Sequence, residues 1–198
     1  AISYSMDKAG PMCRSVEDCA LVFDAIQGPD DRDPALVDLP FNWDPDLDVN
    51  QLRVGYIESA FEADRASARA KANGIATLET LRSLGLDLIP VEFPDYPVDV
   101  HRILLYAEAT AAFDELNRSK KDTLLKRPNW SQRFRMARTI PAVEYIQADR
   151  HRIGLMKEMN QLLSRVDMVV VPPSEPGTAA NSPLGRNTPL TNLTGHPC

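Results

Sequence analysis

The sequence predicts an α/β fold. A short apolar run at Leu52–Ile57, an Ala-rich stretch of helical period at Asp64–Leu84 and a second apolar run at Leu86–Val91 follow one another with brief connections. That succession is a βαβ unit, which pairs its strands in parallel and lays the helix over one face. A periodic stretch from near Pro141 towards Val166 supplies a second covering helix, and Met168–Val171 a fully apolar strand that Pro172 and Pro173 end. At 198 residues, 43% hydrophobic and 25% charged, the chain has the size and balance of one globular domain, which excludes wholesale disorder.

Taken in order, Ser15-Val-Glu-Asp18 has the form of a capping box: the Ser15 hydroxyl accepts an orphan amide and Asp18 stands in for the usual Glu. Val16, Cys19, Ala20, Phe23 and Ile26 continue at helical spacing until Gly28-Pro29 stops the helix. Asp30–Asp48, rich in Pro and Asp and without period, reads as surface loop. In the Asp64–Leu84 helix, Ile75, Leu78 and Leu81 align and Gly85 caps the end. Val100–Asn117 is a further helix, and Ser119–Asn129 is charged and irregular towards Pro128. Pro141 is placed at a first helical position, and the stripe of Val143, Ile146, Ile153, Met156, Met159, Leu163 and Val166 reads as that helix's core face. The tail from Ser174 to Cys198 reads as loop, and there is no internal repeat.

A net charge of −6 argues against a generic nucleic-acid binder. One segment departs from that average. Arg118, Lys120, Lys121, Lys126, Arg127, Arg133, Arg135 and Arg138 face a single acid, Asp122, with Trp130 and Phe134 among them. Arg133, Arg135 and Arg138 are the candidates there for phosphate contact. A solvated face whose arginines pair with the acidic Asp30–Asp48 loop is the better reading of the run. Asp44-Pro-Asp46-Leu-Asp48-Val-Asn50 alternates oxygen ligands as a calcium loop does, but Val49 and Gly55 stand where the turn glycine and the bidentate Glu belong. His101, His151 and His196 are isolated, and Cys13, Cys19 and Cys198 are too few and scattered for a disulfide framework. No nucleophile elbow, phosphate-cradling loop or dinucleotide fingerprint appears, so neither metal nor cofactor is expected. Apolar runs are too short for a bilayer and no leader opens the chain, which makes the cytoplasm the expected location. Ala1 in place of Met, and the stop at Cys198 after Thr194-Gly-His-Pro197, set the expectation of a piece of a longer protein.

Ser5-Met-Asp7, Gly10-Pro11-Met12, Arg14-Ser15-Val16-Glu-Asp18 and Gly28-Pro-Asp30, continuing to Asp33-Pro34, stand in one order and spacing. This block resembles the segment that follows the Gly- and Ser-rich signature of the amidase signature family. Asp167-Met-Val-Val-Val-Pro172 is similar to that family's strand into its Thr-Pro-Thr loop, and Asn192-Leu-Thr-Gly195-His-Pro197 to its Asn-x-x-Gly-x-Pro turn. Val171 and Pro173 replace the two threonines of the first, and Cys13 stands where Thr or Ala is frequent. The resemblance covers essentially the whole chain and is strongest over residues 3–34. It implies a mixed-sheet α/β fold covered by helices, here incomplete at both ends, and hydrolysis or transfer of amides without metal or cofactor. The implied machinery is a Ser nucleophile, a cis-configured bridging Ser and a Lys base, with backbone amides as oxyanion hole. All of these precede the matched segment, so residues 1–198 are expected to be the central-to-C-terminal portion of one amidase domain, with no catalytic residue.

The resemblance nominates Asn192, Thr194 and Gly195, with Pro172 and Ser174, as neighbours of the substrate; Gly195 also suits a positive φ. The implied partners are a small-molecule amide substrate and, as one option, a second copy of the full-length protein. A tRNA and partner subunits enter only under the alternative, in which the protein is the amide-hydrolysing subunit of a tRNA-dependent Asp/Glu amidotransferase. That branch carries an Asp seven residues before the matched Asn, where this chain has Gly185. A non-catalytic remnant serving as a binding module is the third reading, and exposed apolar residues such as Val169 and Leu163 are expected of a partial core.

Overall fold

Three parallel strands make the sheet that positions everything else: β1 (Val54–Ile57), β2 (Leu88–Val91) and β3 (Met168–Val170), in the order β2-β1-β3. The structure is a computed structural model that describes residues 2–30, 36, 38–63, 67–174, 179–180 and 182–197. Residues 8–48 form one compact unit; residues 1–7 with 49–198 form the other, which holds the sheet.

In the smaller unit, α1 (Val16–Ile26) begins where the sequence places it, with the Ser15 hydroxyl accepting from the Asp18 amide at 3.0 Å. Gly28 follows at φ +97, a conformation that ends a helix and suits glycine. The Phe23 and Phe41 rings meet edge to face at 5.0 Å. Described residues of the Asp30–Asp48 stretch carry no helix or strand; Asp33 and Pro34 lie outside the described residues.

In the larger unit the expected βαβ crossover is present, with Val54 opposite Leu88 and Ile57 opposite Val91. The crossover holds two helices, α2 (Glu58–Glu62) and α3 (Ala68–Ser83), where the sequence suggested one; residues 64–66 lie outside the described residues. Of the aligned set on α3, Leu78 is buried and Ile75 exposed. The chain then runs through α4 (His101–Ala112), α5 (Asp114–Arg118), α6 (Pro128–Ala137) and α7 (Ala142–Leu163) before returning as β3, with Val54 opposite Met168. A clamp fixes that register: the Arg53 amide and guanidinium donate to the Asp167 carboxylate at 2.8 and 2.7 Å, and the Asp167 amide donates back to the Arg53 carbonyl. These bonds hold the Asp167 carboxyl at a pKa of about 2. Gly55 sits in β1 because a Cβ there would lie 2.9 Å from Val91 Cγ2 and 3.2 Å from Val166 Cγ1.

Four expectations are corrected. On α7 the buried residues are Ala148, Leu155, Met159 and Leu162, whereas Val143, Ile146, Ile153 and Met156 of the expected core stripe are exposed. At roughly 100° per residue, Ile146 and Ile153 point away from the Leu155 face. The helix is apolar on two sides, and Arg152 borders the inner one, so periodicity selected the wrong face. Met159 and Val166 are buried as expected, and Pro141 is the N-cap rather than the first helical residue. The tail is not all loop: α8 (Asn187–Thr194) buries Pro189, Leu190, Thr191 and Leu193, and Pro189 is tolerated because it lies in the first turn. Leu163 and Val169 are half-buried against the core rather than exposed. In the charged Ser119–Asn129 segment, a turn of 3-10 helix at Lys121–Leu124 precedes α6, which begins at Pro128.

Candidate functional site

In a parallel sheet, ligands gather where the strands end at their carboxyl edge. Here β1 passes into α2, whose Ser59 donates from its amide (2.8 Å) and hydroxyl (2.5 Å) to Glu92, just past β2. Pro172, just past β3, lines a recess with Pro173, Phe61, Lys71 and Leu184. That recess has a volume of about 10 Å³, room for one water and not for an amide substrate. Ser174 follows, exposed.

The other nominated residues sit at the end of α8. Thr194 donates its hydroxyl to the Leu190 carbonyl at 3.0 Å and lies 2.5 Å from His196 Nδ1. Gly195 caps the helix at φ +77, the positive angle expected of it, with its amide donating to Thr191 O. Asn192 is half-buried in the last turn. Asn192, Thr194 and Gly195 are not among the described residues that line the recess at Pro172.

A buried polar network escaped the sequence reading. Glu108, on α4 and 5% exposed, accepts from the hydroxyls of Ser3 and Ser5, the latter at 2.6 Å, and from the Ser5 amide at 3.2 Å. Tyr145 on α7 donates to the same carboxylate at 3.4 Å. Arg152 donates to Ser5 Oγ (2.8 Å), Ser5 O (2.7 Å) and Leu193 O (2.6 Å), drawing in α8. A serine on a carboxylate is the arrangement of a nucleophile and its base. Ser3, however, has no exposed surface, and Ser5 is engaged by Arg152, so the network fastens the N-terminal segment to α4, α7 and α8. Desolvation, the hydrogen bond with Tyr4 and the Glu108 charge push the Tyr145 phenol well above its ordinary pKa. The only local signal was the Ser-x-Asp spacing: Asp7 Oδ2 accepts from the Ser3 amide at 3.1 Å and so shapes the turn that delivers both serines.

The cation segment is largely committed to its own neighbours. Arg118 pairs with Asp114 at 2.6 Å, and Arg138 with Asp114 and with Asn117 Oδ1 at 2.7 Å. Arg135 pairs at 3.2 Å with Asp122, which is wholly buried and also accepts from Ser131 Oγ (2.5 Å) and Asn117 Nδ2 (3.2 Å). The Ser131 bond, then the Arg135 charge and the remaining hydrogen bonds, hold the Asp122 carboxyl below its ordinary pKa despite desolvation. Arg133 lies over the rings of Tyr106 (5.4 Å) and Trp130 (5.3 Å). Phe134, only 4% exposed, is closed to a stacking base. Within the larger unit, Arg118, Arg135 and Arg138 pair with Asp114 and Asp122. Beside this cluster an open groove of about 520 Å³ runs between α4, α6 and α7, floored by Ala107, Ala111 and Ala137 and rimmed by the Asp114–Arg138 pair.

Among the described residues no three His, Cys, Asp or Glu gather as a metal site would require, and no helix is long and apolar enough to cross a membrane. His101 Nδ1 lies 2.7 Å from the Val98 carbonyl, and burial lowers its pKa.

A family model described as Amidase matches residues 1–194. An amidase from Pseudomonas putida is 28% identical over 177 residues, taking in 87% of this chain and 37% of that protein. A glutamyl-tRNA(Gln) amidotransferase subunit from Thermus thermophilus is 29% identical, over all of this chain and 48% of its own length. A solved structure described as a vestigial protein complex that reveals the evolutionary origins of an s-triazine catabolic enzyme superposes with a TM-score of 0.69 at 25% identity, covering 98% of this chain and 46% of that one. The chain thus spans less than half the length of these relatives.

Proposed function

The chain belongs to the amidase family, and from that premise we propose that it is the central-to-C-terminal portion of one amidase domain, in an enzyme that hydrolyses a carboxylic amide to the acid and ammonia or an amine. The observation that carries the reading is the family match along residues 1–194. In this proposal a Ser nucleophile, a cis-configured Ser and a neutral Lys lie in sequence outside residues 1–198. The Lys takes a proton through the bridging Ser as the nucleophile attacks, and backbone amides hold the oxyanion. That chemistry needs neither metal nor cofactor. Pro172 and Ser174 at the strand ends, and Asn192, Thr194 and Gly195 at the end of α8, form wall around the substrate rather than reacting groups.

The test compares two samples: the 198-residue chain alone, and the native gene product captured with an antibody to residues 101–166. Ammonia release from simple carboxylic amides is measured for each, before and after a serine-directed sulfonyl fluoride. The proposal expects release from the native product, abolished by the reagent, and none from the chain alone. Release by the purified chain refutes the placement of the machinery; an inert native product refutes the amidase reading.

A second reading, the amide-hydrolysing part of a tRNA-dependent amidotransferase, is favoured by the match of the whole chain to the Thermus protein. Gly185 weighs against it. A Cβ there would collide with the Ala179 carbonyl, so an Asp at this position would force the turn to move. Under this reading tRNA binds with steep salt dependence that weakens when Arg133 and Arg135 are neutralised. Salt-independent binding, or none, removes it.

A further inference from the structure

The face of α7 that turns away from the core carries a symmetric pattern, with Asp149 and Arg150 at its centre. In either direction from that step an isoleucine stands three residues away, Ile146 or Ile153, and a second large apolar side chain three further, Val143 or Met156. At roughly 100° per residue these six positions occupy about 140° of the helix surface, opposite the buried Leu155 side, over about 20 Å of its length. Val143, Ile146, Ile153 and Met156 are 62%, 56%, 49% and 43% exposed, so nothing in the chain covers the stripe. Ile146 also walls the groove between α4, α6 and α7, which continues the apolar surface. Among the described residues neither Asp149 nor Arg150 has an ion-pair partner. Single exposed apolar side chains need no explanation; a contiguous stripe of four, with an unpaired charge of each sign at its middle, marks a contact surface.

We infer that this face of α7 docks on a second copy of the same chain, in an antiparallel pair whose two-fold axis passes between Asp149 and Arg150. Such an axis sets positions equally far on either side of the step next to one another. Val143 then packs on Met156 of the second copy, Ile146 on its Ile153, and Asp149 meets its Arg150; each contact occurs twice. A slip of three residues in either direction sets a charge against an isoleucine, so the charges fix the register. This self-complementarity is what names the occupant as a second copy. A helix contact of this length is at the small end of specific interfaces, so the dimer is reversible and dependent on concentration. The inference rests on α7 and not on the amidase reading.

Sedimentation equilibrium of the full chain at low ionic strength tests it, with circular dichroism to show that each variant keeps the parent's helix content. The expected result is a reversible equilibrium between one chain of 22.0 kDa and a species of twice that mass. Asp149→Arg and Arg150→Asp are each expected to weaken association at least about 10-fold, because like charges then meet at both contacts. Mixed in equal amounts, the two variants are expected to pair with each other as strongly as the parent pairs with itself. Orientation is read by crosslinking in a chain whose native cysteines are replaced by serine: Ile146→Cys mixed with Ile153→Cys forms a disulfide faster than either does alone. A monomer at every concentration, as when a different protein covers this face, would overturn the inference. So would a species larger than a dimer, a dimer indifferent to the charge reversals, a mixture no stronger than its components, or equal crosslinking of mixed and single variants.

Discussion

Glu108 and Asp122 are both carboxylates removed from water, and they are held in opposite ways. Glu108 takes its hydrogen bonds from Ser3 and Ser5, 105 and 103 residues away, and from Tyr145, 37 residues away. Asp122 takes all of its bonds from within 13 residues: Asn117, Ser131 and Arg135. The first reaches a cation only through Ser5, which Arg152 also binds; the second has Arg135 directly, yet leaves Oδ1 without a partner among the described residues. One carboxylate therefore ties distant parts of the chain together, and the other braces a local turn. A long-range tie of this kind is a property of the fold, and its loss leaves several buried donors without acceptors.

The contrast predicts a ranking. Glu108→Ala is expected to cost about 3 kcal/mol or more in urea unfolding, since two serine hydroxyls, an amide and a phenol lose their acceptor together. Glu108→Gln, which keeps the shape and one carbonyl, should cost clearly less; equal costs would mean that the bonds contribute little. Leu155→Ala should cost about 2–5 kcal/mol while Ile153→Ala stays near roughly 0.5 kcal/mol, and the reverse order would restore the face of α7 that periodicity favoured. Gly55→Val should cost about 1–3 kcal/mol through overpacking against Val91 and Val166.

The smallest effects are those of pH. Asp122 and Asp167 both have pKa values depressed by folding. The stability they contribute is fully present above the ordinary carboxylate value of 3.8 and is lost as pH falls, for Asp167 towards about 2. Asp122→Asn and Asp167→Asn should therefore be less sensitive to acid than the parent below about pH 4 in thermal melts. A parent and variants with parallel acid limbs would contradict the assignments.

What the sequence revealed follows the same division between local and distant. The α1 cap, the Gly28 and Gly195 conformations and the β1–β2 pairing depend on neighbours close in the chain, and all were legible. The α6 helix was not placed, although Trp130, Phe134 and Ala137 have helical spacing, because the surrounding cations drew the reading towards a solvated face. Ser5 could be nominated only as part of a motif, and its partner Glu108 lay unmarked on α4. The choice between two apolar faces of α7 is made by what packs against it, which periodicity along one helix does not contain. At the nominated site, the positive φ of Gly195 was legible, because it depends on the local end of α8 alone.

The most direct test of the account is the intact mass of the native protein, isolated through residues 101–166. The account predicts a species well above 22.0 kDa, whose additional sequence holds the Lys and paired Ser. A native species at 22.0 kDa would contradict it and remove amide hydrolysis by that mechanism.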